Sequence, residues 1–225
     1  MASSFLSDDG NIQMYLGDSY DHIGAVRNLP VKLLLTDPPY GIEQDPDKFG
    51  ESGFVAVHDD DKPFDPRPWL DLGFPTCLWG ANNFSHLIDP ETYVPEKMKP
   101  NGGWLFWDKT IENAVEVKIS DGELAWTNLF RGVRGFRHLW SGAYRASEPK
   151  FHVHPTQKPV ALMKWILEMF TEPGDLVFDP FMGSGPVAQA CYEMQRQYYG
   201  VEINPDHFET ATKRCSVLTI FGDQS

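Results

Sequence analysis

Val177-Phe178-Asp179-Pro180-Phe181-Met182-Gly183-Ser184-Gly185 runs an apolar strand into a glycine-rich turn, and Pro186 then opens a helix at a position where a first turn accepts proline. The glycines let a ligand approach the backbone, and the helix N-terminus favours an anionic group. The spacing is not Gly-x-Gly-x-x-Gly, so the nicotinamide-dehydrogenase reading loses weight; a glycine turn between strand and helix can also be purely structural. About twenty residues further on, Tyr199-Gly200-Val201-Glu202 ends another strand with an acid, the position that holds ribose hydroxyls in open α/β sheets. Together the two segments imply a nucleoside-bearing cofactor.

Around this unit, short β-rich runs alternate with helical patterns, which predicts an α/β fold: one Rossmann-like domain over 1–225 with a mainly parallel, roughly seven-stranded sheet. Strands are predicted at Ile12–Leu16, Val31–Thr36, Thr76–Trp79, Trp104–Trp107, Glu123–Leu129, Asp175–Phe178 and Tyr198–Ile203, with a further one near Phe136–Tyr144. Helices are predicted at Tyr20–Asn28, Asn82–Ile88, Pro159–Phe170, Pro186–Gln195 and Pro205–Val217. In the third, Val160, Met163, Ile166, Leu167 and Phe170 fall on one face.

The 225 residues carry 19 basic and 32 acidic side chains, a net charge of -13 that is awkward for a partner made of phosphates. The distribution is uneven. From 131 to 158 the basic residues Arg131, Arg134, Arg137, Arg145, Lys150 and Lys158 meet a single acid, Glu148, whereas the proline- and glycine-punctuated stretch 41–66 reads as a long mobile acidic loop. Neither a signal peptide nor a membrane-spanning run is visible, so a soluble, cytoplasmic protein without a membrane partner is expected. Cys77, Cys191 and Cys215 are odd in number and widely spaced, as for buried free thiols. His152, His154 and Asp59-Asp60-Asp61 show no recurring ligand spacing, so no metal is expected.

Asp37-Pro38-Pro39-Tyr40 follows the apolar run Val31–Thr36 and so falls at the carboxyl edge of the sheet. It suits activation of an exocyclic base amino group, whose lone pair is delocalised into the ring. If the Asp37 carboxylate and the Pro38 carbonyl each accept one amino hydrogen, the nitrogen moves toward tetrahedral geometry. The two prolines stiffen the turn, and Tyr40 offers a flat face for a base extruded from a duplex. A plain Asx-type turn would account for the same residues.

In this order the segments resemble the amino-group DNA methyltransferases of the permuted β class, in a form associated with phage and prophage members. Asp37-Pro38-Pro39-Tyr40 matches the catalytic tetrapeptide of that family, Phe178 to Gly185 its cofactor loop and Val201-Glu202-Ile203-Asn204 its ribose-binding strand end. Leu16-Gly17-Asp18-Ser19, His154-Pro155-Thr156-Gln157-Lys158-Pro159, Trp79 to Phe84 and Gly103 to Lys109 are similar to further segments. The resemblance implies S-adenosylmethionine as cofactor, with Asp18, Ser19, Asp37, His154, Thr156, Gln157, Lys158, Asp179, Phe181, Gly183, Ser184, Gly185, Glu202, Ile203 and Asn204 around it. It implies DNA as partner, base flipping, a role in DNA modification including restriction–modification, and compatibility with a homodimer.

Aspartate at the first motif position favours adenine; the same chemistry on the cytosine amino group is the alternative, and a silent DNA- or protein-binding module a second. Two departures stand out. Position 186 is proline where the family often has threonine, and the region 110–150 leaves room only for a reduced target-recognition element. Its arginines, Arg131, Arg134, Arg137 and Arg145, are the expected DNA-binding surface, while one of Phe49, Phe54 and Phe64 is a candidate for touching DNA.

Overall fold

A computed structural model describes residues 3–39, 63–99, 102–110, 120–141, 144–145, 147 and 157–222. In chain order the strands are β1 (Ser4–Leu6), β2 (Ile12–Leu16), β3 (Val31–Thr36), β4 (Thr76–Trp79), β5 (Gly103–Asp108), β6 (Gly122–Thr127), β7 (Gly132–Arg137), β8 (Trp140–Ser141), β9 (Tyr144–Arg145), β10 (Leu176–Asp179) and β11 (Gln197–Glu202). The helices are α1 (Ile23–Val26), α2 (Arg67–Leu70), α3 (Pro90–Tyr93), α4 (Val160–Phe170), α5 (Pro186–Glu193) and α6 (Pro205–Gly222).

Among the described residues, nine strands form one sheet in the order β1-β2-β11-β10-β3-β4-β6-β5-β7, and β8 pairs with β9 separately. The run β2-β11-β10-β3-β4 is parallel throughout, and β5 pairs with β7 in parallel, so the sheet is mainly parallel as expected. It is two strands wider than the sequence suggests, through β1, which pairs antiparallel with β2, and the edge strand β7.

Alternation along the central strands sorts the core into two layers. Leu33, Leu35, Cys77, Trp79, Val177 and Tyr198 pack with Leu162, Met163 and Ile166 of α4 on one face; Leu34, Leu78, Phe178 and Tyr199 pack with Trp69 and Phe84 on the other. Lys32 is the exposed exception in β3. A slip of one residue would drive its ammonium into the layer that Leu33 fills, so the register of β3 is locked.

The predicted helices at Tyr20–Asn28 and Asn82–Ile88 are corrected to short turns. The first is one 3-10 turn at Ser19–His22 running into the four-residue α1, and the second is two 3-10 turns, Ala81–Asn83 and Ser85–Leu87. Both stretches bridge sheet and surface over too short a span to offer a sustained apolar face. The three longer helices lie where the sequence places them, with α6 extending further. All three cysteines are buried free thiols, and burial pushes each of them up from the usual thiol range. No helix among the described residues is long and apolar enough to cross a membrane.

Candidate active site

The parallel strands β2, β11, β10 and β3 end on a common edge, and each delivers an acid there: Asp18 beyond β2, Glu202 at the end of β11, Asp179 at the end of β10 and Asp37 beyond β3. Between them lies the glycine turn. Gly183 N–H donates to Glu202 Oε2 at 2.8 Å and Asn204 N–H to Oε1 at 2.8 Å, so two backbone groups orient this 8% exposed carboxylate. Each carboxylate oxygen has a second acceptor position that a ligand hydroxyl can use.

Gly183 has φ +55°, and a Cβ there would meet nothing within 4 Å, which leaves the backbone open to close approach. Gly185 answers a different demand. With φ +78° it opens α5, and a Cβ would stand 2.9 Å from that of Ala211 on α6, so only glycine lets the two helices meet. Ser184 is buried, while the Phe181 ring lies edge-on to Phe64 and Trp69. Asn204 accepts at Oδ1 from Asp206 N–H (2.9 Å) in the first turn of α6. Asp18, itself exposed, accepts from Tyr20 N–H at 2.9 Å and caps the turn over the buried Ser19. Tyr20 and Ile203, both large and exposed, flank this end of β2 and β11.

Asp37 is partly exposed, Pro38 buried and Pro39 partly buried. Tyr40, His154 and Thr156 lie outside the described residues, as do Phe49 and Phe54. Gln157 is buried, and Lys158, only 4% exposed, places its ammonium against Asp37 Oδ2 and 2.8 Å from Glu123 Oε2. Glu123 also receives Lys109 Nζ at its other oxygen. Burial works against the Glu123 carboxylate, but Lys158 and Lys109 together hold it well below the usual carboxylate range. Sequence reasoning places Lys158 beside the cofactor and passes over Glu123, which reads there as one more polar residue on a strand.

Asp179 makes contacts that the motif does not disclose. It is 1% exposed and accepts from Thr36 Oγ1 (2.6 Å), Tyr198 Oη (3.1 Å) and Phe181 N–H (3.3 Å). Burial pushes its carboxyl up to about 7, against the three hydrogen bonds that favour the charged form. Because Thr36 directly precedes Asp37, this buried group ties the Asp37 turn to the glycine loop. The signal available in the sequence was Thr36 itself, a hydroxyl closing an otherwise apolar strand.

The arginines do not share one surface. Arg134 and Arg137 are three apart on β7 and project to opposite faces, Arg134 with its guanidinium 4.9 Å from the Phe130 ring centre and Arg137 donating from Nε to Asp108 Oδ2 at 2.8 Å. Arg131 is exposed just before the strand, and Arg145 is on β9. Phe64 is corrected from loop aromatic to core residue: it is buried, with its ring centre 4.9 Å from that of Phe84 and 5.5 Å from that of Phe181.

The sequence profile of a DNA methylase family, the N6 and N4 methyltransferases, matches residues 93–213. The Type II methyltransferase M.XycI of Xanthomonas campestris pv. cyanopsidis is 39% identical over 83 residues, which is 37% of this chain and 27% of that protein. DNA adenine methyltransferase YhdJ of Escherichia coli (strain K12) is 38% identical over 70 residues, 31% of this chain and 24% of that protein. The matched stretches thus span about a quarter of the length of these relatives. Among solved structures, the M1.HpyAVI–SAM complex superposes with a TM-score of 0.59 at 24% identity, covering 91% of this chain and 98% of that one. PvuII DNA methyltransferase (cytosine-N4-specific) superposes with a TM-score of 0.62 at 16% identity, covering 91% and 86%. At these identities the likeness is one of fold.

Proposed function

Since the chain belongs to the DNA methylase family of N6 and N4 methyltransferases, we propose that it transfers a methyl group from S-adenosylmethionine to an exocyclic amino nitrogen in DNA, adenine being the preferred base. The observation that carries this reading is the convergence of Asp37, the open Gly183 backbone and the oriented Glu202 carboxylate on one edge of four adjacent parallel strands.

The residues present suit the cofactor. Gly183 leaves room for a close backbone approach, Glu202 has acceptor capacity left for ribose hydroxyls, and Tyr20 and Ile203 offer apolar surface beside it for a nucleobase. Bound there, S-adenosylmethionine supplies an electrophilic methyl group on a sulfonium. Asp37 and the Pro38 carbonyl accept the two amino hydrogens of the flipped base and so direct the nitrogen lone pair outward. Pro38 and Pro39 fix the turn that presents them. The preference for adenine follows from aspartate at the first motif position; relatives named for adenine and for cytosine N4 both occur. Mass spectrometry of nucleosides from DNA methylated by the protein tests the whole reading: N6-methyladenine is expected, N4-methylcytosine would transfer the chemistry to the other base, and neither would end it.

Glu202→Gln is expected to weaken cofactor binding by roughly 1 to 3 kcal/mol, because charge-assisted bonds to ribose hydroxyls are lost and the amide NH2 faces a backbone N–H, of Gly183 or Asn204, that the carboxylate accepts. Isothermal calorimetry reads this directly, and an unchanged Kd would remove Glu202 from the cofactor site.

DNA contact is assigned to Arg131, Arg134, Arg137 and Arg145, supported by their concentration in the segment that escapes the acidic surplus. Each phosphate neutralised contributes roughly -0.9 to the slope of log affinity against log salt, and Arg134 and Arg137 cannot both face one duplex from opposite faces of β7, so glutamine at 131, 134 and 137 should flatten that slope by about 1 to 2 units. Since Arg134 and Arg137 project to opposite faces of β7, single substitutions should divide the effect unequally. A triple variant with the wild-type slope would move the DNA surface elsewhere.

A further inference from the structure

Lys158 is one ammonium between two carboxylates, with Asp37 on one side and Glu123 on the other. Lys109 closes the far end of this chain of charges at Glu123. Both ammonium groups also lie by tryptophan rings, Lys158 Nζ 5.9 Å from the Trp79 centroid and Lys109 Nζ 4.7 Å from that of Trp107, and the two rings meet edge to face at 6.5 Å. The rings cover the deeply buried Lys158 ammonium on one side and strengthen its interactions there, while the Asp37 and Glu123 side chains keep 27% and 25% of their surface exposed. A cation shared by two anions neutralises neither of them completely. The arrangement is set by the sheet register, since Glu123 on β6 stands opposite Trp107 on β5, two residues before Lys109.

We propose that Glu123 is a positioning residue for methyl transfer, holding Lys158 in a shared position that orients the Asp37 carboxylate and preserves its strength as an acceptor of the amino hydrogen. This rests on the assignment of Asp37 above, and it gives Lys158 a role toward Asp37 in addition to any toward the cofactor. Without Glu123, the charge of Lys158 bears more heavily on Asp37 and weakens it as an acceptor. Lys109 balances Glu123 from the opposite side, so the four groups together carry no net charge.

Two variants test this. Glu123→Gln removes the anion that both Lys109 and Lys158 meet, so it can compromise folding. The combined Lys109→Met and Glu123→Gln variant removes a cation with the anion and keeps the group neutral. Thermal melting establishes that the chosen variant is folded. In single-turnover assays at saturating S-adenosylmethionine and DNA, transfer is expected to slow by ~10- to 100-fold, the scale of a small misplacement of a reacting group. The calorimetric Kd for S-adenosylmethionine should stay within about threefold, a range small against the tenfold that each 1.4 kcal/mol represents.

A readout independent of turnover is the titration of Asp37, followed by carboxyl 13C NMR in cofactor-free protein. Its midpoint should fall by roughly half a unit or more when the neighbouring anion is removed, and by less in the neutral double variant. Wild-type transfer rates, or an unmoved Asp37 midpoint, overturn the proposal. So does a slowing matched by an equal loss of cofactor affinity, which would assign the ion chain to the cofactor instead. A wild-type protein that methylates no DNA would refute the functional reading, and the Asp37 midpoint would still decide whether Glu123 acts on Asp37.

Discussion

Replacing Asp37 with alanine is expected to slow methyl transfer by at least ~10³-fold, within the range that positioned acid–base and electrostatic groups contribute to catalysis, while cofactor affinity changes only a few-fold. The carboxylate lies just past the end of β3, on the side of the sheet where Lys158 reaches it. The described contacts of Glu202 and Gly183 are made with other groups, so the cofactor edge should survive the substitution. Asp37→Ala also leaves Lys158 with Glu123 as a partner, which keeps the buried ammonium paired. The loss should therefore appear in the chemical step, under single-turnover conditions with both substrates saturating. Asp37→Asn retains one acceptor oxygen without the charge and should fall between the alanine variant and wild type. Near-normal transfer by Asp37→Ala would remove the tetrapeptide from the mechanism.

The second large effect concerns stability. Asp179 has a carboxyl raised by burial to about 7, against 3.8 for the ordinary group. Between these values the folded protein holds a proton that the unfolded chain has released, so stability falls as pH rises through this window. The contribution is fully present below about pH 4 and is lost above about pH 7. A shift of roughly three units corresponds to as much as ~4 kcal/mol. Asp179→Asn cannot titrate, yet it can still accept from Thr36. The unfolding free energy of wild type relative to Asp179→Asn should therefore decline across pH 4 to 8, measured by urea denaturation at each pH. Carboxylates held low by their partners, such as Glu123 and Asp108, slope the other way but are common to both proteins and cancel. A flat difference across that window would show that Asp179 is charged in the folded protein.

Strands buried on both faces were legible because their apolar runs are nearly continuous, interrupted in β3 only by Lys32. Val31–Thr36 and Thr76–Trp79 match β3 and β4 residue for residue, and both are central in the sheet. Strand β7 was not, since Gly132-Val133-Arg134-Gly135-Phe136-Arg137 has two glycines, two arginines and little burial; its pairing with β5 is a backbone matter that side-chain pattern does not encode. The short turns after β2 and β4 carry a helical pattern in sequence because a few apolar residues at helical spacing look alike in turn and helix.

In the site, residues joined by local chain order were visible: the Asp37 turn, the glycine loop and the Glu202 strand end. Partners supplied by distant strands were not. Glu123 meets Lys158 only because β6 inserts between β4 and β5, and Thr36 meets Asp179 only because β10 lies beside β3.

The order of strands in the sheet also governs how the protein comes into being. β2 and β3 are made before β10 and β11, yet in the sheet β11 and β10 lie between them. Until β10 and β11 leave the ribosome, facing edges of β2 and β3 lack their neighbours, and such long-range closure is intrinsically slow and exposed to aggregation. A nascent chain or a fragment cut before α4 would hold the Asp37 turn with neither the glycine loop nor Glu202 beside it. Such a fragment lacks part of the proposed site, so the two halves of that site come together only when β10 and β11 close the gap between β2 and β3.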